Sequence, residues 1–459
     1  MYVPATIVKS GFFFTPETPE KRYPGMLTIS DGGRVELEIT ADETAFTSYD
    51  EMMIGRLIGQ IEGGYVTLEG CTYRTMNLSF AGMTGKSLIT ARLVFVGVGL
   101  SEPAKFTSLR FCVDGLSEWL GKSAFKIGIG QSFEDWTVTM KRPEPVKCTL
   151  PDGTKLEIDI EIKLPGATKY PTLELYQQAF IQITPAESQP FEFYQKLSHR
   201  ITRFFSFAIG RPVAIHSLKA QIDAPEISDL HKWLELYFQS LNNSAKRLLN
   251  SRDMLLGYSS IALRFGDLLS AWLNEYENLM PALHHYFSVQ DESHAYVDTK
   301  FIAMAQALEA FHRRTSDSRR WPRDEYKTKI AAILEGCPER DRQWLQQKLN
   351  FGNEITLAER LHQLIGRFAG VFGGEAPIDS IVRGTVRTRN YHAHYDPDGA
   401  AKALKGAALL SLTFRLRVLF ALSLLVRLGV TEEEAIDLAR TSPLERLLRN
   451  ATYIEQNGD

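Results

Sequence analysis

The feature that most restricts how this chain can fold is a change of hydrophobic period near residue 250. Before it, apolar residues alternate or come in short β-branched and aromatic runs broken by glycine and proline; after it, they recur every three to four residues. Period two sends alternate side chains to opposite faces of a strand, whereas period 3.6 lays a stripe along a helix. The chain therefore reads as α+β, with a β-rich N-terminal domain over residues 1–250 followed by an all-α helical-bundle domain over 251–459.

In the first half, Met26–Ile29 and Val35–Ile39 flank Asp31-Gly32-Gly33, a hairpin signature. Tyr65–Leu68 follows Gly63-Gly64, and Leu88–Val98 is a long β-favouring run. Phe125–Ile129, Trp136–Met140 and Lys155–Ile162 are further strand candidates, with Pro143, Pro145, Pro151 and Pro165 keeping the strands short. Phe191–Ile209 reads as a helix on the sheets, and strand character returns at Val213–Ala220 and Trp233–Phe238. Beyond residue 255, Ile261, Phe265, Leu268, Leu269 and Trp272 mark one helix face, and Phe301, Met304, Ala305, Leu308 and Phe311 another. Thr356 with Glu359 and Thr431 with Glu434 have capping-box spacing, and Ser442-Pro443 with Glu445 opens a further helix.

A net charge of −3 excludes a bulk nucleic-acid coat protein but leaves room for an enzyme with a local basic patch. Cys71, Cys112, Cys148 and Cys337 lack metal or redox spacing and read as free thiols. The N-terminus has no signal-peptide pattern, and Ala407–Val430 is interrupted by Arg415, Arg417 and Arg427, so neither export nor a membrane span is expected. The expected location is the cytoplasm.

The stretch with chemical content is Thr388-Arg389-Asn390-Tyr391-His392-Ala393-His394-Tyr395-Asp396-Pro397, between a helix over Ile378–Tyr395 and a turn at 396–399, with a long helix to follow over Ala401–Leu428. Arginine followed by histidine at this distance recurs by chance: Arg211 to His216 has the same spacing, but with Pro212 in a strand-like setting. Asn390 directly after Arg389, with His394 five residues after the arginine, is the rarer combination. On residues alone, Arg389 and His394 also fit a helix C-terminus carrying cations against its negative end.

The segment resembles the signature of the HEPN ribonuclease superfamily, Arg-Asn/Asp/His-x-x-x-His on a helix. More closely, it is similar to ApeA-type bacterial anti-phage proteins, in which a β-rich domain precedes a HEPN domain containing Arg-Asn-Tyr followed by His-Tyr-Asp. Phe301–Arg313, Thr356–Phe368 and, in the first half, Ile54–Tyr73 fit the same pattern. The resemblance implies a metal-independent endoribonuclease of abortive-infection defence that needs no cofactor. RNA would be cut through its 2′-hydroxyl to leave a 2′,3′-cyclic phosphate and a 5′-hydroxyl, with transfer RNA as a plausible target. It further implies a homodimer through the HEPN domain and an N-terminal domain that senses a phage-derived trigger. In that chemistry a near-neutral imidazole moves protons and a permanently charged guanidinium stabilises the phosphoryl oxygens. The roles fall to His394 for acid/base work, Arg389 for charge stabilisation and Asn390 for orientation.

Positions five apart differ by about 140° around a helix, so Arg389 and His394 do not share a face of a straight helix. Arg387 does share the face of His394 and is a supporting candidate, as is His392. Glu309 either pairs with Arg313 one turn on or positions the arginine of the motif. Arg313–Lys329 holds seven basic and three acidic residues with Trp321 and Tyr326 interleaved. Arg319, Arg320 and Arg323 there are candidate RNA contacts, or else part of a solvated loop. Two other readings are a metal hydrolase using His392-x-His394-x-Asp396, for which no downstream histidine exists, and a non-catalytic HEPN binding module.

Overall fold

A computed structural model describes the chain except residues 2, 4, 42–44, 47–51, 77–84, 131–134, 164–172, 224–232, 241–249, 251–252, 292–295, 396 and 458–459. Pro165 and Asp396 of the sequence reading lie outside the described residues. The chain divides into two compact units, Met1–Ser270 and Ala271–Asp459.

In the first unit, β1 (Ile7–Phe14), β2 (Tyr23–Ser30), β3 (Arg34–Ala41), β4 (Met53–Ile61), β5 (Gly64–Thr75) and β6 (Gly85–Ala91) form a closed antiparallel barrel. The pairing runs β1–β2–β3–β6–β5–β4 and back to β1. Closure leaves no free edge, and alternate residues turn inward to fill the interior, among them Phe13, Leu27, Leu37, Leu57, Leu68 and Ile89. The Asp31-Gly32-Gly33 turn joins β2 to β3 as the sequence suggests; its glycines take φ of 83° and 68°, which other residues seldom adopt.

The expected single strand over Leu88–Val98 is broken at Arg92. Its backbone N–H donates to Glu69 O at 2.9 Å, and its side chain lies over Gly70, where a Cβ would meet Arg92 Nε at 2.3 Å. The break lets the chain change partners: β6 stays in the barrel, while β7 (Leu93–Val96) pairs outward.

The chain continues as β8 (Lys105–Val113), α1 (Leu116–Leu120), a two-stranded ribbon of β9 (Phe125–Ile129) and β10 (Trp136–Met140), then β11 (Val146–Thr149), β12 (Lys155–Lys163) and β13 (Tyr176–Thr184). The short β14 (Gln189–Pro190), α2 (Phe191–Ile209), β15 (Ile215–Ile222) and β16 (Leu234–Phe238) follow. A second sheet, ordered β11-β12-β13-β8-β15-β16-β7, joins the barrel through β5. Helix α2 buries Phe191, Ile201, Phe204 and Phe205, and Tyr194 Oη donates to Phe106 O at 2.7 Å.

The first unit also keeps the start of the helical region, α3 (Tyr258–Ile261) and the beginning of α4 (Phe265–Gln290). The helix face expected from Ile261 to Trp272 is thus split between two helices. Trp119 explains why these residues stay. Its indole donates to Leu256 O at 2.6 Å, and its ring packs on Phe205, Tyr258 and Phe265 at 4.8, 5.5 and 5.5 Å. The division consequently falls after residue 270, beyond the change of period.

The second unit continues with α5 (Val297–Thr315), α6 (Arg323–Glu335), α7 (Glu339–Leu349), α8 (Leu357–Gly366), α9 (Ala369–Phe372) and α10 (Glu375–His394). It ends with α11 (Pro397–Ala400), α12 (Gly406–Arg427), α13 (Glu432–Thr441) and α14 (Pro443–Asn457). Both capping boxes form, Thr356 with Glu359 and Thr431 with Glu434. Helix α12 is long and apolar enough to cross a membrane, but 72% of its most apolar window is buried in the bundle. Phe420 stacks on Tyr286 at 4.7 Å and meets Phe311 edge-on at 5.6 Å, while Arg415 bonds Glu455 at 3.0 and 2.7 Å. The helix starts later than the sequence suggests, at Gly406 rather than Ala401. Where a turn is expected, residues 397–400 form a short helix instead, with Pro397 pre-set at its first position.

Candidate active site at the end of helix α10

Helix α10 is anchored from inside. Ile378, Ile381, Val382, Thr385 and Thr388 are buried, and Thr388 Oγ1 accepts the backbone N–H of Leu404 at 3.0 Å. One residue past this anchor, Arg389 turns toward α5. Its Nη2 lies 3.2 Å from Glu309 Oε2, and its Nη1 is 3.5 Å from Asn390 Oδ1. The structure therefore brings Arg389, Asn390 and Glu309 together.

Glu309 holds a second arginine too. Arg313 Nη2 lies 3.4 Å from Glu309 Oε1, and Arg313 Nη1 is 2.7 Å from Glu354 Oε2. Glu354 in turn faces Arg360 Nη2 at 3.7 Å. Glu309 thus contacts both the arginine one turn along α5 and the arginine of the motif. The charges alternate Arg389, Glu309, Arg313, Glu354, Arg360, so each carboxylate lies between two cations. Burial works against the Arg313 charge, yet its bonds to Glu354 and Glu309 hold its pKa above the ordinary arginine value.

The inner end of this chain is buried. Arg360 is 1% exposed, donates to Ser318 Oγ at 2.7 Å and sits 3.3 Å from His312 Nδ1. Arginine can only donate, so His312 Nδ1 accepts and its proton resides on Nε2, which donates to Gln363 Oε1 at 2.7 Å. Burial holds the His312 imidazole below its ordinary pKa, and the Arg360 and Arg313 charges add to this against the Gln363 bond. His312 and Arg360 were not singled out from the sequence. The available signal was a polar residue on an apolar stripe: Arg360 between Leu357 and Leu361–Leu364, and His312 beside Phe311.

His392 takes another part. Its ring lies 5.1 Å from Tyr391, 6.0 Å from Tyr395 and 6.4 Å from Phe301, an aromatic cluster at the helix end. Tyr395, at φ 49°, is the one non-glycine residue with positive φ among those described, and it turns the chain directly after His394. A left-handed residue with a side chain costs about 1 kcal/mol, a strain that clusters at functional sites. His394 itself is exposed and its side chain makes no hydrogen bond among the described residues; Arg387 is exposed and forms no ion pair there.

Arg319 and Arg320 lie just before α6, and Arg323 opens it. Arg319 bridges Glu354 through the backbone, and Arg320 pairs with Glu359 at 2.8 Å. Trp321 and Tyr326 stack on each other at 5.9 Å, with Lys329 over the indole at 5.2 Å. No group of three histidine, cysteine or acidic residues that could hold a metal comes together among the described residues. Asp396, which the metal reading also needs, lies outside them.

A closed barrel with an attached sheet, followed by a helical unit in which α10 ends in Arg-Asn-x-x-x-His, defines a two-part protein with a C-terminal domain of the HEPN nuclease type. The family model for ApeA N-terminal domain 1 matches residues 9–272, and that for the Apea-like HEPN domain matches residues 302–434. The chain belongs to the ApeA family, with Ile54–Tyr73 inside the first match and Glu309, Arg360 and Arg389 inside the second. No curated protein and no solved structure matches it.

Proposed function

We propose that this protein is a metal-independent endoribonuclease of bacterial anti-phage defence, acting by abortive infection in the cytoplasm, with Arg389, Asn390 and His394 as its reacting groups. The observation that carries the reading is the clamp of Glu309 on Arg389, at a helix end that also bears an exposed imidazole. One guanidinium nitrogen is committed to Glu309. The donors that remain can hold two non-bridging oxygens of a phosphodiester, where charge builds as the 2′-oxygen attacks. His394 takes the 2′-hydroxyl proton, or gives a proton to the departing 5′-oxygen. Breaking the P–O5′ bond leaves a 2′,3′-cyclic phosphate and a 5′-hydroxyl, with no water consumed. Asn390 orients the guanidinium.

Because Arg389 faces α5 while His394 is exposed at the end of the helix, two copies meeting at the C-termini of α10 would combine the arginine of one with the histidine of the other. The acting species is therefore a homodimer. Transfer RNA is the expected substrate, with Arg319, Arg320 and Arg323 as outlying phosphate contacts, and a phage-derived trigger acts on the N-terminal unit.

The test is incubation of the purified protein with total RNA in EDTA, followed by end analysis. Wild type should cut and leave cyclic-phosphate ends, and Arg389→Ala and His394→Ala should be inert while folding normally. Full cleavage by His394→Ala would reject the mechanism.

A further inference from the structure

We infer that the N-terminal unit holds a binding site for a nucleoside phosphate, in a cavity of about 320 Å³ between α2, the segment leading into β15 and the end of β16. The volume is at the small end of ligand pockets, about 300–1,000 Å³. The inference does not depend on the nuclease reading.

Three observations define the ligand. One wall is basic: the cations Lys196 and Arg203 and the His199 imidazole between them, three and four residues apart, share a face of α2, and no acidic side chain is among the described lining residues. That wall supplies donors and charge for a phosphate. The opposite side is apolar, built from Val213, Ala214 and Ile215 with the aromatic ring of Phe238, and suits a flat base.

The buried hydroxyls complete the inventory. Ser198 Oγ donates to Gln195 O at 3.2 Å, and Thr202 Oγ1 donates to Ser198 O at 2.7 Å. With their protons committed to the helix, they offer the cavity lone pairs, which is what a sugar hydroxyl or exocyclic amine requires. A simple anion would use the cations alone, and a hydrocarbon would leave these acceptor lone pairs unused.

The walls are fixed. Ser240 N donates to Gly32 O at 2.8 Å, Ala214 N to Asp114 Oδ2 at 2.9 Å and Val213 N to Ser206 Oγ at 3.4 Å. These bonds tie the end of β16 to the β2–β3 turn and the apolar floor to its neighbours, so the cavity is built before the ligand arrives.

The phosphate could belong to a free nucleotide or to the 5′ end of an RNA. Titration calorimetry on the full chain separates these with ATP, tripolyphosphate, adenosine, and a short RNA ending in 5′-triphosphate or 5′-hydroxyl. ATP or the triphosphate-ended RNA should bind at least about tenfold more tightly than tripolyphosphate or adenosine, and whichever binds identifies the source. Lys196→Glu and Arg203→Glu should each remove that binding. Lys196 is exposed, so its variant keeps the fold, which thermal unfolding verifies; Arg203→Gln is the milder second substitution. The site is disproved if neither nucleotide-bearing probe binds, if tripolyphosphate binds as well as ATP, or if Lys196→Glu binds ATP as wild type does.

Discussion

Arg389 and Glu309, eighty residues apart in the chain, meet at 3.2 Å between α10 and α5, and this ion pair fixes where the motif arginine points. The guanidinium is one-third exposed and the carboxylate about one-fifth, so solvent screens the pair and its worth to stability is about 1 kcal/mol. Its larger effect should be on geometry. Glu309→Gln keeps an acceptor oxygen and loses the charge, and RNA cleavage should fall about tenfold; Glu309→Ala frees the guanidinium and should cost about a hundredfold. The loss should lie mainly in kcat, with KM little changed, since the remaining arginine charge still attracts phosphate. Single-turnover cleavage by Glu309→Ala at the wild-type rate would remove Glu309 from the positioning of Arg389.

The buried Arg360 poses a different question. It donates to Ser318 and His312 and faces Glu354, while its Nη2 has no hydrogen-bond partner. Arg360→Ala removes both packing and charge and should cost about 3 kcal/mol. Arg360→Met refills the volume and should cost clearly less. The midpoint of thermal unfolding ranks the two, and an equal loss in both would mean that the charge, rather than the filled space, dominates.

His312 gives the helical unit a pH dependence of known sign. Its folded pKa lies below the ordinary value of 6.5, so between the two values the unfolded chain binds more protons than the folded one. The stability it contributes is full above pH 6.5 and is lost as pH falls toward the folded pKa. His312→Gln can accept from Arg360 and donate to Gln363 without titrating. Unfolding midpoints between pH 7.5 and 5 should therefore fall more steeply for wild type than for His312→Gln. Parallel curves would show that His312 does not titrate on unfolding.

Much of this was legible because it is local. The Asp31-Gly32-Gly33 turn, the 191–209 helix, both capping boxes and the residues of the α10 motif follow from short-range pattern and from resemblance. Barrel closure was not legible: β1 pairs with β4 and β3 with β6 across intervening strands, and period two says which face is buried but not which strand lies alongside. The break at Arg92 depends on Gly70, a neighbour in space. Helices α6 and α7 bury no residue, so no apolar stripe marked them, and the charges over 313–329 looked like a loop. At the site, single residues could be named, but the alternation from Arg389 to Arg360 needs α5, the strand-like bridge at Glu354 and α8 to converge, a tertiary fact.

Thr388 tests whether the floor beneath the motif matters. It is fully buried, and its hydroxyl accepts the Leu404 N–H at 3.0 Å. Thr388→Val is nearly the same shape but leaves that half-buried donor without its partner, costing about 1 kcal/mol. Thr388→Ser retains the oxygen and should recover most of the loss. Because the bond ties the segment after His394 back to α10, backbone amide exchange at 404–406 should quicken in the valine variant and not in the serine variant. Unchanged exchange in both would show that the hydrogen bond does not hold this segment.

The proposed homodimer makes the sharpest prediction, because it concerns which chain supplies which group. If each cleft takes Arg389 from one copy and His394 from the other, a mixed dimer of Arg389→Ala and His394→Ala has one intact cleft and one doubly defective cleft. Equal amounts of the two, unfolded together and refolded, should give about half mixed dimers and hence about a quarter of wild-type cleavage. Each variant refolded alone should give none. If both groups act from a single chain, every cleft in the mixture lacks one of them and cleavage stays absent. Refolded wild type sets the scale, and a silent mixture beside an active wild-type control would reject the shared cleft while leaving the roles of Arg389 and His394 to be judged by the single variants.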